Sequence, residues 1–289
     1  MKRHKKACTI TLQDKIKAMR KGNREQEMEL LGPGFHSHHD VHKSAVSYTR
    51  KLKHKGRPLW MLLLLLAFAL TAGARGKQEP LRVSVLGDSY STFEGYLTPD
   101  TNFIWYFRGH AERAGNDVKT VEQTWWHQVI TQKGWKLERN NSFSGSTICN
   151  TGYHREDYSR RSFIARMPYL GEPDVILVCG GTNDSWAGSP IGDYKYGRWT
   201  DDDLWSFRPA MAMLCSELQR QYPKAHILFI LNCELKPEIN ESVEAICRHY
   251  GMGLLKLHDV QKQDGHPSQA GMTTFAQQVI AWMKANWKL

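Results

Sequence analysis

Two stretches in the second half of this chain are apolar without alternation. Val175-Ile-Leu-Val-Cys179 follows Asp174 and stops at Gly180-Gly181, and Ile227-Leu-Phe-Ile-Leu231 follows His226. A strand covered on one face alternates apolar and polar residues, whereas a strand covered on both faces reads as a continuous apolar run. Arg82-Val-Ser-Val-Leu86, ending at Gly87, Trp135 to Arg139 and Leu254 to Leu257 read as further strands. Between them lie segments of helical period: Val121 to Gln132, Asp201 to Tyr222 with an acidic first turn, Pro237 to Tyr250 stopped by Gly251, and Ser268 to Trp287 with Ser268 as N-cap. Strands alternating with helices predict an α/β fold, a parallel sheet with helices on both faces, in one domain from about 78 to 289.

The charge balance divides the chain elsewhere. The whole sequence carries 39 Lys+Arg against 29 Asp+Glu, and residues 1–76 hold 16 against 5 of these, leaving 23 against 24 in the remainder. The basic character therefore belongs to a leader. The body is nearly neutral, which argues against a nucleic-acid partner, since phosphate affinity needs a concentrated positive surface. Residues 1–58 read as a basic leader and 59–74 as a signal peptide: Lys51, Lys53, Lys55 and Arg57 precede a short apolar run, and Ala72-Gly73-Ala74 supplies a small-x-small cleavage site. This predicts a secreted or periplasmic protein, cut after Ala74, with a membrane contact only through the segment if it is uncleaved. Residues 1–50 read as an over-extended start, with translation beginning near Met61 or a little upstream. His36, His38, His39 and His42 have no second ligand cluster, there is no CxxC or HExxH, and no metal or cofactor is expected. The five body cysteines, Cys149, Cys179, Cys215, Cys233 and Cys247, are scattered and odd in number, which is not a disulfide framework.

Ligands of such sheets sit beyond the carboxyl ends of the strands, so function is sought in the residues just after each strand. There stand Gly87-Asp88-Ser89, Ser142-Phe-Ser-Gly145-Ser146, Gly181-Thr-Asn183-Asp184 and Asp264-Gly-His266-Pro267. A serine hydroxyl attacks a carbonyl only when a base removes its proton, and histidine suits that task near neutral pH. Ser89 is the candidate nucleophile and His266 the base, with the N–H groups of Ser89 and Gly145 and the Asn183 amide as oxyanion donors. Gly145 would allow close backbone approach. Asp88 reads as a structural carboxylate and Asp184 as an anchor of its own loop. Each block alone could be an ordinary turn; the absence of G-x-S-x-G speaks against an α/β-hydrolase elbow.

The ordered set of blocks resembles the SGNH (GDSL-type) hydrolase family over about residues 82–275. The resemblance implies a three-layer α/β/α sandwich with a flavodoxin-like sheet, and hydrolysis of esters or acyl groups. The pattern departs in its last block. The family's acid three residues before the histidine is replaced here by Gln263, and Asp264 stands only two before. The orienting group is therefore left between Asp264, the Gln263 carbonyl or amide, and a distant acid such as Asp259 or Glu234.

For substrate, Trp186 and Tyr194 in the aromatic-rich segment after Asn183, and Trp105 in the insertion after Ser89, are expected to line the active rim. Flat aromatic faces suit sugar rings, so the first choice is a small-molecule or polysaccharide ester, with acetyl removed from carbohydrate. A lipid or short-chain acyl esterase, a thioesterase, and a decayed glycan-binding domain are the alternatives.

Overall fold

The computed structural model describes residues 79–109 and 115–289. The leader, the apolar run at 59–70, Cys8 and the histidines at 36–42 lie outside the described residues. Five strands form one parallel sheet: β1 (Arg82–Gly87), β2 (Lys136–Asn140), β3 (Val175–Gly180), β4 (His226–Leu231) and β5 (Gly253–Lys256), in the spatial order β2-β1-β3-β4-β5. The order reverses between β1 and β3, and the crevice at such a switch point is where doubly wound sheets bind ligands. The helices are α1 (Trp125–Lys133), α2 (Phe163–Arg166), α3 (Thr182–Ala187), α4 (Phe207–Gln221), α5 (Pro237–Tyr250) and α6 (Gln269–Asn286). A two-stranded hairpin, β6 (Lys262–Gln263) and β7 (His266–Pro267), precedes α6.

The continuous apolar runs are explained by burial: all six residues of β3 are buried. Ile176 and Val178 join Phe229 and Leu231 under α2, α4 and α5, against Phe163, Phe207, Leu214 and Ile246. Val175 and Leu177 face the other way with Leu228 and Ile230, against Trp125, Phe275 and Val279 of α1 and α6. The Trp125 and Phe275 rings stack at 4.4 Å across that second layer. Each such side chain contributes about 1.5–3 kcal/mol when fully buried. The edge strands β2 and β5 are only partly covered, in keeping with their mixed sequences.

The helix ends follow their residues. Gly251 stops α5 in the left-handed conformation, and the Ser268 hydroxyl accepts the Gly271 N–H at 3.1 Å at the start of α6. Two expected helices are shorter than their apolar period. The segment from Asp201 breaks into a 3₁₀ turn, Asp202–Trp205, and α4, with Ser206 extended between them. The acidic residues serve this turn rather than a helix dipole: Asp203 accepts from the Thr200 N–H and hydroxyl and pairs with Lys195. Likewise Val121–Gln123 is 3₁₀ and extended Thr124 separates it from α1. Among the described residues no helix is long and apolar enough to cross a membrane.

Gly180 ends β3 where the Phe163 ring crosses it, and a Cβ there would stand 2.7 Å from that ring. Gly180→Ala is expected to cost about 1–3 kcal/mol by overpacking, read as a thermal unfolding midpoint lower by about 2–4 °C per kcal/mol. An unchanged midpoint would show that this contact yields freely.

Candidate active site

β1 ends at Gly87, and a Cβ there would lie 2.5 Å from the Ser91 side chain, so only glycine lets the chain turn at once. Asp88 then caps a single 3₁₀ turn, Ser89–Ser91, its Oδ1 accepting the Tyr90 N–H at 3.0 Å. This fixes Ser89 at the carboxyl end of β1, beside the point where the strand order reverses. Asp88 is fully buried, and burial pushes its carboxyl up to about 7 against the opposing pull of the Tyr90 N–H, the Thr182 hydroxyl and Arg166. It is structural, as its place in the sequence suggested.

His266 arrives from the other end of the chain. Its Nε2 lies 2.9 Å from Ser89 Oγ, and its Nδ1 lies 3.0 Å from the main-chain oxygen of Asp264. The residue is buried, with 5% of its surface exposed. The orienting contact thus comes from the residue favoured by sequence but from its carbonyl rather than its carboxylate. The cause is the turn between β6 and β7. Asp264 and Gly265 both have positive φ, 51° and 70°, in a two-residue loop, the type I′ hairpin that Asp-Gly favours. That turn folds the Asp264 carbonyl back beneath the imidazole. The other candidates are engaged elsewhere: the Gln263 carbonyl accepts from Asn116 at 3.3 Å and its side-chain oxygen from the Asp117 N–H at 2.9 Å. Asp259 contacts His258, and Glu234 pairs with Lys262.

The carbonyls on either side of His266 are clamped by phenols. Tyr90 donates to the Gly265 oxygen at 2.8 Å, and Tyr106 donates to the Pro267 oxygen at 2.9 Å. Burial raises both phenols above their usual range, which keeps them protonated as donors. Neither residue follows from the motif spacing; Tyr90, directly after Ser89, was the one within reach of sequence reasoning.

The remaining loops close the site. Asn183, on the first turn of α3, donates to the Ser146 carbonyl at 3.0 Å and accepts from the Tyr153 hydroxyl at 2.8 Å. Gly145 stands in the neighbouring loop with φ 80°, and a Cβ there would meet nothing within 4 Å. Glycine is therefore required by the left-handed backbone and not by close approach. Among the described residues, the main-chain N–H groups of Ser89 and Gly145 find no protein acceptor, and they remain able to serve an incoming anion. Asp184 anchors this neighbouring loop rather than its own, accepting from the Ile148 N–H at 2.8 Å and the Cys149 N–H at 3.2 Å. Its carboxyl is pushed up to about 6 by burial. Arg166, absent from the sequence reading, sits buried below: it donates to the carbonyls of Gly87 and Asn141 and to the Ser146 hydroxyl. No motif flagged it, because its partners are mostly main-chain oxygens.

Of the three aromatic residues expected at the rim, Trp186 is there, 43% exposed, its ring 6.1 Å from that of His266. Trp105 lies instead flat on the imidazole, with centroids 3.4 Å apart at 9°. Tyr194 departs from expectation: its ring stacks with Tyr196 and lies under the Arg208 guanidinium, while Tyr196 packs on His249 at the end of α5. The segment after α3 runs along the α4–α5 face, drawn there by Trp199 packing into that core. Among the described residues no group of three or more His, Cys, Asp or Glu could hold a metal ion.

The sequence model of the family described as GDSL-like Lipase/Acylhydrolase matches residues 81–283. A crystal structure from Bacteroides ovatus described as a GDSL-like lipase is similar at 55% identity and a TM-score of 0.71, covering 72% of this chain and 100% of that one. One from Bacteroides uniformis with the same description gives 53% identity and a TM-score of 0.70, over 72% and 97%. A carbohydrate esterase whose active site displays divergent catalytic and non-catalytic binding functions shares the fold, at 15% identity and a TM-score of 0.53, over 72% and 70%. No curated protein matches the chain.

The raised carboxyl of Asp88 sets a pH dependence. A carboxyl whose folded pKa, about 7, exceeds its ordinary 3.8 favours the native state when protonated. That contribution is complete below about pH 4 and is lost as pH rises toward 7. Asp88→Asn, which keeps the acceptor for Tyr90 and removes the charge, is expected to gain stability relative to the parent between pH 4 and 7. Denaturant unfolding at each pH measures this, and a constant difference across that range would contradict it.

Proposed function

The chain belongs to the GDSL-like lipase/acylhydrolase, or SGNH hydrolase, family and is an ester-hydrolysing enzyme, and on that premise we propose that it is an exported serine esterase removing acetyl groups from carbohydrate. The observation that carries the mechanism is the 2.9 Å hydrogen bond between Ser89 Oγ and His266 Nε2. Ser89 attacks the ester carbonyl carbon while its proton passes to His266. The carbonyl oxygen becomes an oxyanion, held by the N–H groups of Ser89 and Gly145 and by the second amide hydrogen of Asn183. Tyr153 and the Ser146 carbonyl fix that amide in one orientation. When the intermediate collapses, the imidazolium returns its proton to the leaving alcohol, leaving an acyl-enzyme on Ser89. Water, deprotonated by the same imidazole, then releases the acid and restores the serine.

The substrate class rests on Trp186. Its half-exposed indole beside His266 offers a flat face of the kind sugar rings stack on. Export rests on the signal peptide read at 59–74, whose cleavage after Ala74 would leave Arg75 as the first residue.

The deciding experiment is a hydrolysis screen of acetylated sugars against esters of longer acyl chains, with fluorophosphonate labelling. It uses enzyme recovered from outside the cytoplasm, whose intact mass is expected to correspond to a start at Arg75. Acetylated sugars should be preferred, and Ser89→Ala should abolish both turnover and labelling; a preference for long acyl chains would remove the carbohydrate assignment. Because a main-chain oxygen orients His266, Asp264→Asn is expected to keep turnover within about threefold. A drop near the 10⁴-fold seen when a triad carboxylate is replaced would show that the Asp264 side chain acts after all.

A further inference from the structure

The closest ring contact in the site has no place in those catalytic steps. The Trp105 and His266 rings are nearly parallel and stacked, 3.4 Å between centroids at 9°. The other rings meet the imidazole steeply: Tyr90 at 60°, Trp186 at 74° and Tyr106 at 81°. Two neutral aromatic rings avoid a face-to-face sandwich, because both faces are electron-rich. A cation over an indole face is attracted, and more strongly where water is excluded. The stack is therefore the geometry suited to imidazolium, the state His266 enters each time it takes a proton from Ser89 or from water.

We propose that Trp105 is a positioning residue of hydrolysis, whose indole face holds the His266 ring in line with Ser89 and stabilises the imidazolium formed during acyl transfer. The inference rests on the proposed Ser89–His266 chemistry. Two further observations support it. The Trp105 N–H donates at 2.9 Å to the Thr92 hydroxyl, which itself donates at 3.0 Å to the Ser89 carbonyl. One hydroxyl thus ties the indole's backbone to the nucleophile's own turn. At Nδ1 the Asp264 main-chain oxygen lies 3.0 Å away, so the ring is held at its edge by that contact and on its face by the indole. Among the described residues, the titratable groups around the ring are the Tyr90 and Tyr106 phenols, with Asp88 and Asp117 behind them, and the Asp264 side chain on the hairpin.

Trp105→Leu keeps apolar cover over the imidazole but removes the π face; Trp105→Phe keeps a smaller face. The His266 titration, followed by NMR and assigned against His266→Gln, is measured in both, together with kcat and KM on an ester substrate. Loss of the face favours neutral imidazole. The Leu variant should therefore titrate lower by about half to one pH unit, with kcat about 10-fold down and KM within about twofold, and the Phe variant should fall between. An unmoved titration in both variants would overturn the proposal, as would a raised KM at unchanged kcat, the signature of a sugar platform. Should the Leu variant fail to fold, a Phe variant with the parent's titration and kcat would overturn it equally. The titration needs no turnover. Absence of activity on every ester would therefore count against the functional reading, and a fixed His266 titration against this one.

Discussion

Everything at the catalytic edge depends on the parallel register of β1 and β3. Gly87 pairs with Cys179 and Gly180 with Leu231, so three adjacent strands end within about one residue of each other. Parallel strands must each be followed by a long excursion. The segments leaving a shared edge at the order reversal therefore open a crevice between them. Ser89 leaves on one side, Asn183 on the other, and neither could reach a common carbonyl if the register slipped by a residue.

A crevice of loops is a poor instrument unless the loops are held. Here the holding is polar and buried, and it costs stability. Asp88 and Asp184 are carboxylates out of water, both pushed toward neutrality, and Arg166 is a buried cation pulled down to about 9 by its burial. Buried charges persist only when their hydrogen bonds are made. Asp184 is bonded to two consecutive N–H groups, and Arg166 to carbonyls at the ends of β1 and β2 and to the Ser146 hydroxyl. These bonds tie the loops that carry Ser89, Gly145 and Asn183 to one another.

The histidine is held by a different principle. Two phenols clamp the peptide oxygens flanking it, a carbonyl orients Nδ1, and an indole covers the ring. Each of these contacts restricts where the ring can lie, from its two flanking peptides, its Nδ1 edge and its face.

The layered α/β architecture was legible in the sequence because burial on both faces leaves a continuous apolar run, and periodicity marks the helices between. Ser89, His266 and Asn183 stood out as candidates because few residue types suit such tasks; Ser89 and Asn183 each follow a strand, and His266 lies in the short strand β7. The Nδ1 partner was not, although the Asp264-Gly265 pair is itself a hairpin signal. Residue spacing says which side chains are near, whereas a carbonyl's direction is set by two positive φ angles. Trp105 and Tyr194 were equal candidates by composition; packing alone sent one onto the imidazole and the other along the α4–α5 face. Sequence thus determined which chemical groups exist and on which layer they lie. Tertiary structure decided which of them touch, because contacts between distant loops depend on backbone angles and neighbouring bulk that no local pattern encodes.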